Sequence, residues 1–134
     1  MKRKGVLALA LALAATLVIG VAAAVAAKSY STKIIFLGTE GQAQNLTLFG
    51  NLNTNSKCLA ARKMELYKAT SSGAKLVDAD LSSFNGAWAF RANLTGAPDI
   101  AIKVKKERRN HGDVICKGST ITLSANKAKY SEVG

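Results

Sequence analysis

From Lys28 onward this chain consists of short runs in which apolar and polar residues alternate, and it contains no helical period of useful length. Turn-forming residues separate the runs at spacings near the roughly 8–12 residues that are typical of β-sandwiches. Because a period of two places successive side chains on opposite faces of a strand, such runs build sheets with one buried face. The pattern predicts an all-β chain, a Greek-key β-sandwich of seven strands, or eight if the run ending at Leu37 is counted.

The predicted strands follow one another with short polar connections. In chain order they are Lys33–Leu37, Leu46–Leu52, Lys63–Lys68, Lys75–Leu81, Ala87–Leu94, Ile100–Lys105, Val114–Cys116 and Ser119–Ser124. Within the second of them, Gly50 predicts a bulge or bend. Asn85-Gly86 predicts a two-residue type I′ hairpin turn between its flanking strands, because that turn needs a positive φ at both central positions.

Two strands define the expected core most clearly. Trp88 shares a face with Phe90 and Leu94, and we expect it at the centre of the core because it has the largest apolar surface to bury. The strand that begins at Lys75 is expected to bury one apolar face and to turn its two aspartates outward. That buried face comprises Val77, Ala79 and Leu81.

The first 27 residues are typical of an export signal. Lys2-Arg3-Lys4 is a cationic start, and an uncharged run follows that ends in the small residues Val21–Ala27. Ala24-Val25-Ala26 and the same pattern one step later match the A-x-A cleavage motif. The uncharged run is also long enough to span a bilayer, so an uncleaved membrane anchor is the alternative. In both cases the positive start places the rest of the chain across the membrane, secreted, periplasmic or at the cell surface.

The sequence is therefore divided into four parts. They are a signal peptide at 1–27, expected to be helical, a lead-in with an edge strand at 28–45, the sandwich domain at 46–124 and a polar C-terminal tail at 125–134. The chain has 19 Lys and Arg against 8 Asp and Glu. Without the three basic residues of the leader, 16 remain and the net charge is +8, so the excess of positive charge belongs to the domain itself.

Cys58 and Cys116 are the only cysteines. In an exported chain two cysteines are best interpreted as one disulfide, because oxidising compartments allow the bond to persist. A redox or zinc pair has little support, since the chain has no C-x-x-C and His111 is its only histidine. We therefore expect a Cys58–Cys116 bond and neither a metal site nor a cofactor.

Three motifs in the chain suggest a family. C-x-x-x-R-K-M-x-L-Y spans Cys58–Tyr67, G-x-W-x-F spans Gly86–Phe90, and C-K-G-S-T-I-T-L spans Cys116–Leu123. Together they resemble the transthyretin-like (prealbumin-like) sandwich, and especially the carboxypeptidase regulatory-like modules of exported bacterial proteins. The pattern departs from that family at Met64, where valine is usual. The resemblance implies a transthyretin-like or Ig-like sandwich that serves as a non-catalytic accessory, adhesive or carbohydrate-associated module.

A basic run is the sharpest surface feature of the sequence. Its members are Lys103, Lys105, Lys106, Arg108 and Arg109. The run could meet an anionic partner such as a cell-envelope polymer. The alternative that we favour is a solvated edge strand that its charges protect from aggregation. Specific nucleic-acid binding is not expected, because few aromatic residues accompany the run.

Tyr67 is the candidate for stacking against a sugar ring. It is out of phase with Met64 and Leu66, and this places it on the expected exposed face of its strand. Trp88 is in phase with Phe90, and we therefore expect it in the core rather than at a sugar site.

Catalysis is not expected of this chain. The enzymes of the resembled sandwich fold need several histidines, whereas His111 stands alone in a predicted turn. The preferred function is that of an exported non-catalytic module with a structural or binding role outside the membrane. The alternative is a dedicated basic-surface binder of anionic or sugar polymers of the cell envelope.

Overall fold

The computed structural model describes residues 26–124, so the predicted signal helix and the polar tail lie outside the described residues. Within that range the chain forms ten β-strands and two 3₁₀ helices, Ala43–Asn45 and Ser56–Cys58. The strands are β1 (Lys28–Tyr30), β2 (Lys33–Glu40), β3 (Leu46–Asn53), β4 (Lys63–Thr70), β5 (Gly73–Leu81), β6 (Ala87–Ala92), β7 (Ile100–Val104), β8 (Glu107–Arg109), β9 (Val114–Cys116) and β10 (Ser119–Leu123). Neither described helix is long and apolar enough to cross a membrane.

Seven strands form two antiparallel sheets that share one hydrophobic core. One sheet has the order β10-β7-β4-β5 and the other the order β2-β3-β6. The remaining strands form a small third sheet, β1-β9-β8, in which β1 is parallel to β9. The all-β, sandwich-like fold with one disulfide is thus confirmed. The strand count exceeds the predicted seven or eight because β1 and β8 are short and carry no aliphatic residue that would mark a buried face, their sequences being KSY and ERR. The Greek-key connectivity stays a prediction.

Alternation places the core where the sequence predicts it. Leu48 pairs with Phe90 in the three-stranded sheet, and Leu66 pairs with Ile102 in the four-stranded sheet. All four side chains are buried. Because successive residues of a strand point to opposite faces, the residues between them form the outer faces of the two sheets.

Trp88 lies in this core, and its ring covers Gly50 on the neighbouring strand. A Cβ atom at Gly50 would overlap both the indole ring and the carbonyl oxygen of Ile35. Gly50 is therefore explained by the space that the ring occupies rather than by the bulge that we predicted there. The bulge of this sheet lies in β2, between Phe36 and Gly38.

Asn85-Gly86 forms a turn, but the predicted hairpin is wrong. The strand before it, β5, belongs to the four-stranded sheet, and the strand after it, β6, belongs to the three-stranded sheet. Gly86 has a φ of 86°, whereas Asn85 does not have a positive φ, so the turn is not type I′. The backbone N–H of Ser83 donates to the carbonyl of Ala87 at 2.8 Å, and the turn carries the chain from one sheet to the other.

A bulge in β5 changes which of its side chains face the core. One extra residue, Val77, is left unpaired against β4 and packs against the core. Beyond it Ala79 and Leu81 are exposed, and Asp78 reaches the other sheet, where its Oδ2 accepts from the N–H of Arg91 at 2.8 Å. The predicted burial of Ala79 and Leu81 is therefore wrong, because one inserted residue reverses the alternation of the strand.

The predicted disulfide joins Cys58 to Cys116 across a Cα–Cα distance of 5.6 Å. Both cysteines are fully buried and form a second, smaller cluster with Val114, against which Tyr30 packs. The bond thus ties the 3₁₀ helix that ends at Cys58 to β9 in the small sheet.

Arg62 is the largest fully buried side chain of the described residues. Its guanidinium donates four hydrogen bonds at 2.9–3.0 Å, to Oγ1 of Thr32 and to the carbonyl oxygens of Cys58, Lys105 and Lys117. Burial lowers the pKa of Arg62, and the Glu107 carboxylate, 3.7 Å from Nε, opposes that shift. One cation therefore connects segments of the chain that are distant in sequence.

Candidate ligand-binding face

The outer face of the four-stranded sheet carries aromatic and charged side chains in register. Glu65 and Tyr67 project from β4 toward this face because they alternate with buried residues. Across the pairing with β7, Glu65 lies opposite Lys103 and Tyr67 lies opposite Ala101. Ala101 in turn lies opposite Thr122 on β10. The fold thus brings Tyr67 and Lys103, which the sequence assigned to separate candidate sites, onto one surface.

A hydrogen bond holds the Tyr67 ring in place. Its hydroxyl donates to Oε1 of Glu65 at 2.7 Å, and the side chain is partly buried. The hydrogen bond to Glu65 raises the pKa of the Tyr67 phenol, and desolvation adds to the shift. The ring is therefore positioned on the sheet surface before any ligand arrives.

Two lysines surround the same carboxylate. Lys105 follows β7 directly, and its Nζ lies 3.9 Å from Oε2 of Glu65. Lys103 is exposed and stands opposite Glu65 in the strand register. Lys63, exposed two residues before Glu65 on the same face of β4, adds a third ammonium group, so this part of the face has two net positive charges.

An open groove of about 330 Å³ begins at Tyr67 and extends along the sheet away from Lys103. Small side chains leave the space free, and polar ones supply hydrogen-bonding groups along it. The small residues are Ala69, Gly73, Ala74 and Ala101, and the polar ones besides Tyr67 are Lys68, Thr70, Asp99 and Thr122. Along the strands, the outer face therefore offers a basic end, then an aromatic ring, then a mostly apolar groove with a few polar groups.

The other members of the basic run lie elsewhere. Lys106 is exposed in the connection after β7, and Arg108 is exposed on β8 in the small sheet. Arg109 is engaged by the fold itself, because its Nε donates to Glu107 at 2.6 Å and its Nη1 to the carbonyl of Lys57 at 3.1 Å. Arg109 therefore stabilises a loop and is poorly placed to contact a ligand.

The interpretation of the basic run as one protected edge strand is wrong for Lys103. β7 lies between β4 and β10, in the interior of its sheet. Arg108 does lie on an edge strand, since β8 ends the small sheet, and there the charge can discourage pairing with other chains. Protection of a sheet edge therefore does not explain why Lys103 lies on the outer face.

Sequence reasoning missed two residues of this face. The period-two rule places Glu65 on the same face of β4 as Tyr67, but nothing in the sequence marked Glu65 as a site residue. Asp99 precedes β7 in a connecting turn, and only the folded chain shows that it borders the groove. Within residues 26–124 no group of three His, Cys, Asp or Glu residues is arranged to hold a metal ion.

Titration of Tyr67 should report directly on its contact with Glu65. Because the folded pKa is raised above the ordinary value of 10.0, the contribution of this contact to stability is complete below pH 10. It is lost as the pH rises above 10 and through the folded pKa. We expect the phenolate absorbance change that disappears in Tyr67→Phe to lie above pH 10 in the native protein, and to move to lower pH in Glu65→Ala, which removes the acceptor. An unchanged titration of Glu65→Ala would contradict the contact.

Comparison with known proteins found no matching family model, no matching curated protein and no matching solved structure. The transthyretin-like resemblance therefore stays a prediction.

Proposed function

We propose that this chain is an exported, non-catalytic β-sandwich module that binds an anionic sugar polymer of the cell envelope. The ligand lies along the outer face of the four-stranded sheet. A sugar ring stacks on Tyr67, and an acidic group contacts Lys103 and Lys105. The observation that carries this proposal is the presence of all three side chains on one face, beside an open groove that is mostly apolar.

Burial and charge support a binding role over a purely structural one. Tyr67 is not part of either hydrophobic cluster. The ring therefore does not contribute to the apolar interior that a purely structural module needs. Lys103 lies in the interior of its sheet, where an exposed cation is not needed to protect an edge. Aromatic side chains with one apolar surface and one polar tip are common at binding surfaces.

Export is supported by the buried disulfide, which is consistent with an extracellular or periplasmic location. The cationic, alanine-rich leader adds the targeting signal that such a location needs. Under this proposal the chain is also a transthyretin-like module, supported by the three motifs and by the all-β fold with Cys58 bonded to Cys116.

Affinity electrophoresis in gels that contain an acidic polysaccharide tests the proposal. We expect Tyr67→Ala to weaken retention about tenfold, which corresponds to about 1.4 kcal/mol of binding free energy. Lys103→Gln should also weaken retention, and it should make the dependence on salt concentration shallower because fewer counterions are released on binding.

Matched variants separate a local site from the general basicity of the chain. Lys106→Gln and Arg108→Gln remove the same charge from exposed positions outside the outer face. We expect each of them to change retention by less than about twofold. If Lys103→Gln and Lys106→Gln weaken retention equally, and Tyr67→Ala has no effect, the outer face is not the binding site.

A further inference from the structure

We infer that the outer face selects a polysaccharide in which acidic and neutral sugars alternate, and that Glu65 is the residue that rejects more densely charged polymers. This inference rests on the proposed function and names the ligand class of the same site. It follows from the order of charges along the face, which is not uniformly basic.

The carboxylate of Glu65 stands between the two binding elements of the face. It accepts a hydrogen bond from Tyr67 at 2.7 Å and lies 3.9 Å from the ammonium of Lys105. Its side chain is 18% exposed, so ligand atoms that contact both Tyr67 and Lys103 must pass beside it. An anionic group at that point would meet a fixed negative charge, whereas a sugar hydroxyl could donate a hydrogen bond to it.

The groove on the far side of Tyr67 is lined by residues of both charges, the cation Lys68 and the anion Asp99. Asp99 borders the groove, together with the hydroxyls of Thr70 and Thr122. These oxygens can accept hydrogen bonds from sugar hydroxyls, so the groove suits an uncharged sugar. A ligand that spans the face therefore meets cations at Lys103 and Lys105 and oxygen acceptors from Glu65 through Tyr67 to Asp99.

The spacing of these elements matches an alternating polymer. Two residues along a strand span roughly 6–7 Å, so Lys103 and the Tyr67–Ala101 pair are separated by about the width of one sugar ring. One acidic group can then contact the lysines while a neutral sugar stacks on Tyr67. A polymer with anionic groups on every sugar would place one of them near Glu65.

Oligosaccharides of equal length distinguish the two ligand classes. Hyaluronan carries one carboxylate per disaccharide, and heparin carries several anionic groups per disaccharide. In calorimetric titrations of the mature chain at fixed salt, Glu65→Gln should bind heparin about three- to tenfold more tightly than the native protein, because one repulsive charge is removed. Binding of hyaluronan should be unchanged or weaker. Glutamine keeps the oxygen that accepts from Tyr67, so the ring position is retained.

Glu40→Gln is the matched control, because Glu40 is an exposed carboxylate on β2 in the other sheet. Equal gains in heparin affinity for Glu65→Gln and Glu40→Gln would overturn the role of Glu65, as would an equal gain for both polymers in Glu65→Gln. In either case Tyr67→Ala would still weaken hyaluronan binding if the outer face is the site. Loss of that effect, or no binding of either polymer, would instead overturn the proposed function and this inference with it.

Discussion

Trp88→Ala is expected to lower the free energy of unfolding by about 3–5 kcal/mol. The indole is 3% exposed, packs against Phe90 with 5.5 Å between ring centroids, and donates from Nε1 to the carbonyl of Asn51 at 3.0 Å. Alanine would leave a cavity and remove that donor. Gly50 lies beneath the ring and has no side chain to fill the space. Most domains of this size have a total stability of about 5–15 kcal/mol, so the variant would be close to unfolding.

Urea denaturation followed by far-UV circular dichroism measures this loss, since the variant lacks the tryptophan for fluorescence. Phe84→Ala is the matched control, because Phe84 is 85% exposed and its removal leaves no buried cavity. We expect it to change stability by less than about 0.5 kcal/mol. A loss below about 1 kcal/mol for Trp88→Ala would mean that the ring is not part of the core.

Arg62→Met is expected to destabilise the fold by a similar amount, about 3–5 kcal/mol. Methionine keeps much of the apolar stem but leaves the four acceptors of the guanidinium without their donor and Glu107 without its buried partner. Each buried acceptor left unsatisfied costs about 1–3 kcal/mol before the structure relaxes. Because the carbonyls belong to the backbone, no side-chain change elsewhere removes this cost.

Arg108→Met is the comparison for this variant, because Arg108 is exposed on β8 and makes no hydrogen bond among those found for the described side chains. We expect its midpoint of urea denaturation to stay near that of the native protein. Arg62→Lys should lie between the two, since an ammonium keeps the charge but cannot reach acceptors on both sides of a planar guanidinium. A native-like midpoint for Arg62→Met would show that the buried network does not hold the connecting segments together.

Local pattern was sufficient for much of the fold. The alternation in β3, β4 and β7 predicted which of their side chains are buried, because side-chain direction in a strand depends only on the parity of sequence position. The same rule predicted that Tyr67 lies outside the core. Two cysteines in a chain with an export leader predicted the Cys58–Cys116 bond, because no other pairing within the chain exists.

The rule failed where a single residue broke the register. In β5 the inserted Val77 turned Leu81 outward and Asp78 toward the neighbouring sheet, and no residue type in that run marks the insertion. Asn85-Gly86 met the requirement for a hairpin, but a turn motif does not specify which sheet the following strand joins. That choice depends on which strands pair across the whole domain.

The candidate binding face shows the same division between local and long-range information. The sequence by itself determined that Tyr67, Lys103 and Lys105 project outward from their strands, because parity is a local property. Only the tertiary structure decided that β4 and β7 are neighbours, that Glu65 stands between Tyr67 and Lys105, and that Asp99 borders the same groove. It likewise decided that Arg62 is buried, since four acceptors from distant segments satisfy its guanidinium. Strand pairing depends on the free energy of packing the whole chain, and residues 38 positions apart, such as Glu65 and Lys103, become neighbours only through it.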